Sequence, residues 1–204
     1  MSIDVKISSF IAQLSNYKTS GNIENPYYKE ECVYNLECYL KHISKYGSHI
    51  MLVGEAPGYR GCQLTGIPFT DEVQLKNADN YFALGDWARS QKNGNTRETS
   101  ATYIWEGIRQ RRDEGFVPLM WNSFPFHPYL DKLSSNRPPN KQEILFGKGL
   151  VQQLAEIFEI KKENIYAIGR KAQYQLEIPS EQYIRHPSHG GKEKCIEGIL
   201  RIQL

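Results

Sequence analysis

Apolar residues recur along the chain with two different spacings, and the alternation between them lays out the architecture. Ile7, Phe10, Ile11 and Leu14 stand at i, i+3, i+4 and i+7, one stripe of a short amphipathic helix. Val33, Leu36, Leu40 and Ile43 predict a second helix that ends near Gly47. Residues 16–26 between them read as a loop punctuated by Gly21 and Pro26. An unbroken run, Ile50-Met51-Leu52-Val53, has no helical spacing and predicts a buried strand over residues 49–55. It stops at Gly54-Glu55-Ala56-Pro57-Gly58, a backbone-rich loop, and Thr65-Gly66-Ile67-Pro68-Phe69 comes next as a second one.

Residues 71–86 show no clear period, and residues 90–99 (SQKNGNTRET) are polar and aperiodic, which predicts an exposed loop. Ala101, Ile104, Trp105 and Ile108 restore the helical stripe, with Thr99 or Ser100 as candidate caps. Residues 116–121 predict a second strand, with Pro118 tolerated near its start. Asn140 and Glu143 spell a capping box at the head of a helix running through Val151, Leu154 and Phe158. A third strand over 164–168, a brief helix over 172–176, a fourth strand over 181–185 and a final helix over 192–200 complete the chain.

Four short strands alternating with helices predict an α/β fold with a parallel sheet between helical layers. At 204 residues the chain fits a single domain, residues 1–204. A hydrophobic content of 40% with 24% charged residues is ordinary for a soluble globular protein.

The net charge of +2 is too small to steer a polyanion by the field of the whole molecule, so an anionic partner must be held by a local patch. Arg109, Arg111 and Arg112 read as a solvated helix face, with phosphate binding as the alternative. The 4 cysteines form no CxxC pair and no zinc-finger spacing, which points to free thiols in a reducing cytoplasm. The beginning MSIDVKISSF lacks a signal-peptide pattern, and no apolar run approaches the roughly 18–20 residues of a membrane span, so the expected location is cytoplasmic, with no membrane contact.

Three of the four strands run into loops with distinctive chemistry: Glu55 after the first, Asn122 after the second, His186 after the fourth. Parallel strands bring those ends to one edge of the sheet, where ligands bind in open α/β folds. An amide there pairs with a base edge that alternates C=O and N–H, an imidazole stabilises charge developing on an oxygen, and a carboxylate orients water or supports a cationic sugar. Each residue alone has a structural explanation as a turn cap, a helix cap or a surface acid; their joint placement is the signal. Other chemistries fit less well. No Gly-Lys-Ser/Thr follows Gly54 as a phosphate-binding loop requires, Cys62 lacks the local signature of a nucleophilic cysteine, and the spacing of His186 and His189 outside a helix is a weak metal motif.

GEAPG at 54–58, TGIPF at 65–69, WNSFPFHP at 121–128 and RHPS at 185–188 resemble, in order and spacing, the motifs of the uracil-DNA glycosylase superfamily, closest to its GEAPG-type bacterial and archaeal branch. The resemblance implies a three-layer α/β/α sandwich with a four-stranded parallel sheet. It also implies a monofunctional enzyme that flips uracil or a related deaminated base out of single- or double-stranded DNA and hydrolyses its N-glycosidic bond without a cofactor. On this reading Phe69 stacks on the base, Asn122 selects it, and His186 donates to its O2. Glu55, beside Ala56 at the position where other branches carry a water-activating residue, is the candidate for orienting water. The loop of Ala56, Pro57 and Gly58, with Ser188, grips flanking phosphates, and Tyr59, Arg60 and His189 are further DNA contacts. The chain lacks the iron–sulfur cysteines of the branch it most resembles, so neither cluster nor metal is expected. In place of an apolar wedge after its HPS motif it has His189-Gly190-Gly191. A monomer is expected. A glycosylase for another modified base, and a glycosylase-shaped module that binds nucleic acid with little catalysis, remain as alternatives.

Overall fold

The computed structural model describes residues 1–82 and 94–204, the side chains of 78–82 excepted. In chain order the regular elements are α1 (Ile3–Asn16), β1 (Ile23–Glu24), α2 (Glu30–Tyr46), β2 (Met51–Gly54), α3 (Cys62–Thr65), α4 (Glu72–Phe82), α5 (Thr99–Gln110), β3 (Leu119–Asn122), β4 (His127–Pro128), α6 (Lys141–Ile157), β5 (Ile165–Ile168), α7 (Arg170–Leu176), β6 (Tyr183–Ile184) and α8 (Lys192–Leu200). Four strands pair in parallel in the order β3-β2-β5-β6, with helices on both faces, which is the three-layer α/β/α arrangement.

The helical stripes are buried as their spacing requires: Ile7, Phe10, Ile11 and Leu14 of α1 all face the core. Helix α6 starts on the capping box, Asn140 accepting from the backbone of Gln142 and Glu143 while Glu143 accepts from Asn140 N at 2.8 Å. Phe10 and Trp121 meet edge to face at 5.4 Å and tie α1 to the strand that carries Asn122.

Several elements differ from the sequence pattern. The second predicted strand is regular from Leu119 rather than 116; the pairing before it is reduced to Val117 O accepting from Ser48 N at 3.0 Å, and Pro118 is tolerated because its nitrogen faces the unpaired edge of the sheet. Strand β6 is only two residues long, residues 180–182 being wound into a 3₁₀ turn. Neither Thr99 nor Ser100 caps α5; Glu98 occupies that position, without a side-chain capping bond. Residues 72–82, which carry no clear period, form α4, whereas residues 83–86 of that stretch lie outside the described residues. Of the predicted exposed loop over 90–99, residues 90–93 also lie outside them. Its second half is anchored rather than simply exposed: Thr96 N and Oγ1 donate to Glu72, and Glu98 N donates to Asp71 at 2.7 Å. Arg111 is not on a solvated face. It is buried, pairs with Glu114, donates to Ile199 O at 3.1 Å and lies over the Phe116 ring, so it braces α5 against α8.

Two predicted loops contain a small antiparallel sheet. Ile23 pairs with Pro128 and Glu24 with His127, joining β1 to β4. Buried Asn25 fixes this corner by donating to Leu14 O at 2.8 Å and accepting from Tyr27 N at 2.9 Å.

Candidate active site

The register of the central strands brings two of the sequence motifs together. Gly54 at the end of β2 lies opposite Asn122 at the end of β3. Ser123 N then donates to Gly54 O at 2.7 Å, and Ser123 Oγ and Phe124 N both donate to Glu55 O, at 2.8 and 3.0 Å. This cross-bonding fixes where Asn122 and Glu55 leave the sheet. The third component arrives from the loop after α3. Thr65 Oγ1 donates to Thr70 O at 2.7 Å and accepts from Ile67 N at 3.3 Å, folding the loop so that Phe69 takes φ +53°. That left-handed backbone is strained for a bulky residue. The ring is thereby laid across Gly54: a Cβ on Gly54 would stand 2.5 Å from Phe69 Cζ and 2.9 Å from Asn122 Oδ1. Glycine is the residue that lets ring and amide share this space.

His186 follows β6 and is half-buried. Ser188 N donates to its Nδ1 at 3.2 Å, which makes Nδ1 an acceptor and leaves the proton of the neutral ring on Nε2. Ser188 Oγ stands 2.8 Å from the same Nδ1. Burial lowers the pKa of His186, and Arg185, His189 and Lys171 act in the same direction, so the neutral tautomer is the resting form. Ser188 is thus the orienting partner of His186, a role its motif did not disclose.

Glu55 sits half-buried, with Oε2 3.3 Å from Lys171 Nζ on α7. Its other oxygen, Oε1, is buried without a hydrogen-bond partner among the described residues. Burial raises the Glu55 pKa and the Lys171 ammonium opposes the rise.

These side chains converge on one cavity of about 440 Å³, lined also by Ala56, Pro57, Gly58, Ser188 and His189. That volume is in the range of small-ligand sites. The lining also carries Arg137, Arg170, Lys171 and Arg185 beside Glu55 and Glu98, a local cationic rim on a chain of net charge +2 in which Arg137 is paired with Glu143 and Lys171 with Glu55. Tyr59 and Arg60 stand outside the lining. Arg60 lies 5.4 Å from the Tyr59 ring, and Tyr59 N donates to Asn136 Oδ1 at 3.4 Å. His189 is exposed, with φ +52° and Nδ1 3.0 Å from Ser188 Oγ.

Three parts of the site escape the sequence motifs. Lys171 is one, a lysine inside a short helix with no pattern around it. Glu98 is the second. A Cβ on Gly58 or on Gly61 would collide with its carboxylate oxygens, so it fills the space of side chains that the loop does not have. Burial, reinforced by Asp71, raises its pKa to about 7, with a hydrogen bond from Ser100 acting the other way. The third is the pair Asn136 and Arg137, which line the cavity together with Pro128, the last residue of the 121–128 motif. His127 joins this segment to the first loop, Nδ1 lying 2.8 Å from Pro57 O and Nε2 3.0 Å from Leu133 O. The only signal for Glu98 was its place at the head of an amphipathic stripe, and the pairing of residues 23–24 with 127–128 left none.

Cys62 lines the cavity, but burial, with Cys32 and Glu98 adding to it, pushes its thiol well above the ordinary value. That is the wrong direction for a thiolate nucleophile. Among the described residues no three His, Cys, Asp or Glu side chains are grouped to hold a metal ion, and no helix is long and apolar enough to cross a membrane.

Comparison with known proteins bears on the family and the fold. The family model described as the uracil DNA glycosylase superfamily matches residues 40–196, from α2 into α8. Among solved structures, the crystal structure of wild-type SMUG2 from Pedobacter heparinus superposes with a TM-score of 0.67, at 19% sequence identity, over 97% of this chain and 94% of that one. No curated protein sequence matches.

Proposed function

The chain belongs to the uracil-DNA glycosylase superfamily, and on that premise we propose that it excises uracil from DNA by hydrolysing the N-glycosidic bond. The base, flipped out of the stack, lies on the Phe69 ring. Asn122 pairs with its edge, the amide N–H donating to O4 and the amide oxygen accepting from N3–H. His186, neutral and protonated on Nε2, donates to O2. As the bond between C1′ and N1 breaks, its electron pair leaves with the base and charge collects on O2, where that N–H stands ready. The sugar becomes cationic at C1′. Glu55 Oε1 accepts a hydrogen bond from the attacking water and Oε2 keeps its charge through Lys171. The water adds at C1′ and gives up a proton through the Glu55 carboxylate to solvent, the base anion takes up a proton from solvent, and an abasic sugar remains beside the released neutral base.

The observation that carries this reading is the His186–Ser188 bond, because it fixes the donor tautomer on the side of the ring that an oxyanion needs. The cationic rim of Arg137, Arg170, Lys171 and Arg185, with the backbone of Pro57 and Gly58, supplies a place for the phosphates on either side of the flipped nucleotide. Lys171, the amine lining the cavity among the described residues, is paired with Glu55 rather than free to attack C1′, which favours a monofunctional enzyme. We place the protein in base excision repair in the cytoplasm, acting as a monomer without a cofactor.

A second reading concerns the base. The cavity continues to Cys62, Glu98 and Ser100, a partly polar wall that neither Asn122 nor His186 occupies, and this favours a modified or deaminated base other than uracil. Both readings are tested by incubating labelled single- and double-stranded oligonucleotides, bearing one uracil, hypoxanthine or xanthine, with the protein and cleaving abasic sites with alkali. Scission at uracil that is lost in His186→Ala and Asn122→Ala supports the first reading. Scission only at another base supports the second. DNA binding without scission at any base overturns both in favour of a binding module.

A further inference from the structure

The segment 129–136 combines two properties that rarely occur together. Its backbone is hydrogen-bonded at Tyr129, Leu130, Lys132, Leu133 and Ser135. Tyr129 N donates to Asn22 O at 3.0 Å, the Asn22 amide donates to Leu130 O, and Leu130 N donates to Ser135 Oγ at 3.0 Å. Ser135 N and Oγ return to Lys132 O at 2.9 and 2.6 Å, and Leu133 O accepts from His127. Arg137 closes the loop, its N donating to Pro128 O at 3.1 Å and its guanidinium paired with Glu143 at 2.7 Å. Ordering a surface loop to this degree costs conformational entropy. Yet it presents two leucines to solvent, Leu130 at 58% and Leu133 at 48% exposure, three residues apart.

Both flanks of the loop touch the cavity, Pro128 at one end and Asn136 and Arg137 at the other. Asn136 also accepts from the loop that carries Gly58, through Tyr59 N. The leucines therefore stand on a hydrogen-bonded loop whose two ends line the cavity, with Lys132 between them in sequence. Across the sheet, after β6, the corresponding rim residues His189, Gly190 and Gly191 offer no aliphatic side chain.

We propose that Leu130 and Leu133 form an apolar wedge that enters the base stack of duplex DNA at the gap left by the flipped nucleotide, with Lys132 on the adjoining backbone. The inference rests on reading the cavity as a base pocket. Extruding a base exposes the stacked faces of its neighbours, and aliphatic side chains inserted from a rigid support recover that burial. The occupant of the patch is thus the gapped stack of a duplex, and single-stranded substrate, which has no gap to fill, does not need the wedge.

The test compares wild type with the Leu130→Ala/Leu133→Ala double variant in two measurements: excision from uracil-bearing single and double strands, and binding to a duplex carrying a tetrahydrofuran abasic analogue against the intact duplex. The expected result is unchanged single-strand excision, which also shows that the variant is folded, with duplex excision and the preference for the abasic duplex reduced roughly tenfold to a hundredfold. A double variant that handles duplex as wild type does, or a wild type that acts on single strands alone, overturns the wedge. A wild type that excises nothing, yet prefers the abasic duplex through these leucines, keeps the wedge and overturns the glycosylase reading. Loss of both signals in the wild type overturns the two together.

Discussion

Lys171 Nζ stands 3.3 Å from Glu55 Oε2, and the contact works against the environment of the same carboxyl. Burial raises the Glu55 pKa while the ammonium pulls it back. If Glu55 must be ionised to orient water, Lys171→Met leaves the effect of burial unopposed and moves the acidic limb of the pH–rate profile to higher pH. Single-turnover rates between pH 5 and 8 check this; an acidic limb that stays in place removes Glu55 from the chemistry.

His186→Ala removes the donor aimed at the leaving base. Loss of one such donor slows the chemical step by on the order of 10²–10³. Binding to a uracil-bearing oligonucleotide should stay within a few-fold of wild type, since the cationic rim is untouched. Because burial holds the ring below its ordinary value of 6.5, the wild-type rate should show no histidine limb between that pH and 8. A variant that loses binding and rate in equal proportion argues for a structural histidine.

Gly54→Ala puts a methyl group 2.5 Å from the Phe69 ring and 2.9 Å from the Asn122 amide. One of the two must move, at a cost of about 1–3 kcal/mol for an overpacked site. The expected outcome is a lower melting temperature together with a rise in KM, since stacking and pairing are both disturbed. Wild-type KM in the alanine variant would show that base contact does not depend on this junction.

Glu98 links the site to stability. Its folded-state pKa, about 7, exceeds the ordinary 4.5, so the folded protein binds the proton more tightly than the unfolded chain. Its contribution is complete below pH 4.5 and is lost as the pH rises through 7. Glu98→Gln stays neutral, and should therefore be the more stable protein at pH 8, by on the order of 2 kcal/mol, with the difference shrinking towards pH 5. Urea melts at the two pH values measure it; a pH-independent difference would mean that Glu98 is not the titrating group.

Much of this was legible in the chain because it is local. The stripe Ile7, Phe10, Ile11, Leu14 needs only the helical period to place it in the core, and Asn140 with Glu143 needs only three residues to cap α6. The four motifs carry the family because each is a short piece of backbone and side chain joined in sequence. Glu98 was not legible. It lies 40 residues from Gly58, and its meaning comes from lodging where that loop has no side chains. The ladder of Ile23 and Glu24 with Pro128 and His127 spans a still longer separation, with strands too short to leave an alternating pattern.

The sequence by itself determined the parallel α/β plan and the presence of Glu55, Phe69, Asn122 and His186 at strand ends or in loops, since strand period, glycine and proline placement and residue type are properties of neighbours along the chain. Only the tertiary structure decided which nitrogen of His186 carries its proton, which cation holds Glu55, and that two leucines stand on a loop whose two ends line the cavity. Hydrogen-bond partners, burial and field depend on what packs alongside after the chain has folded, and no period along the sequence records that.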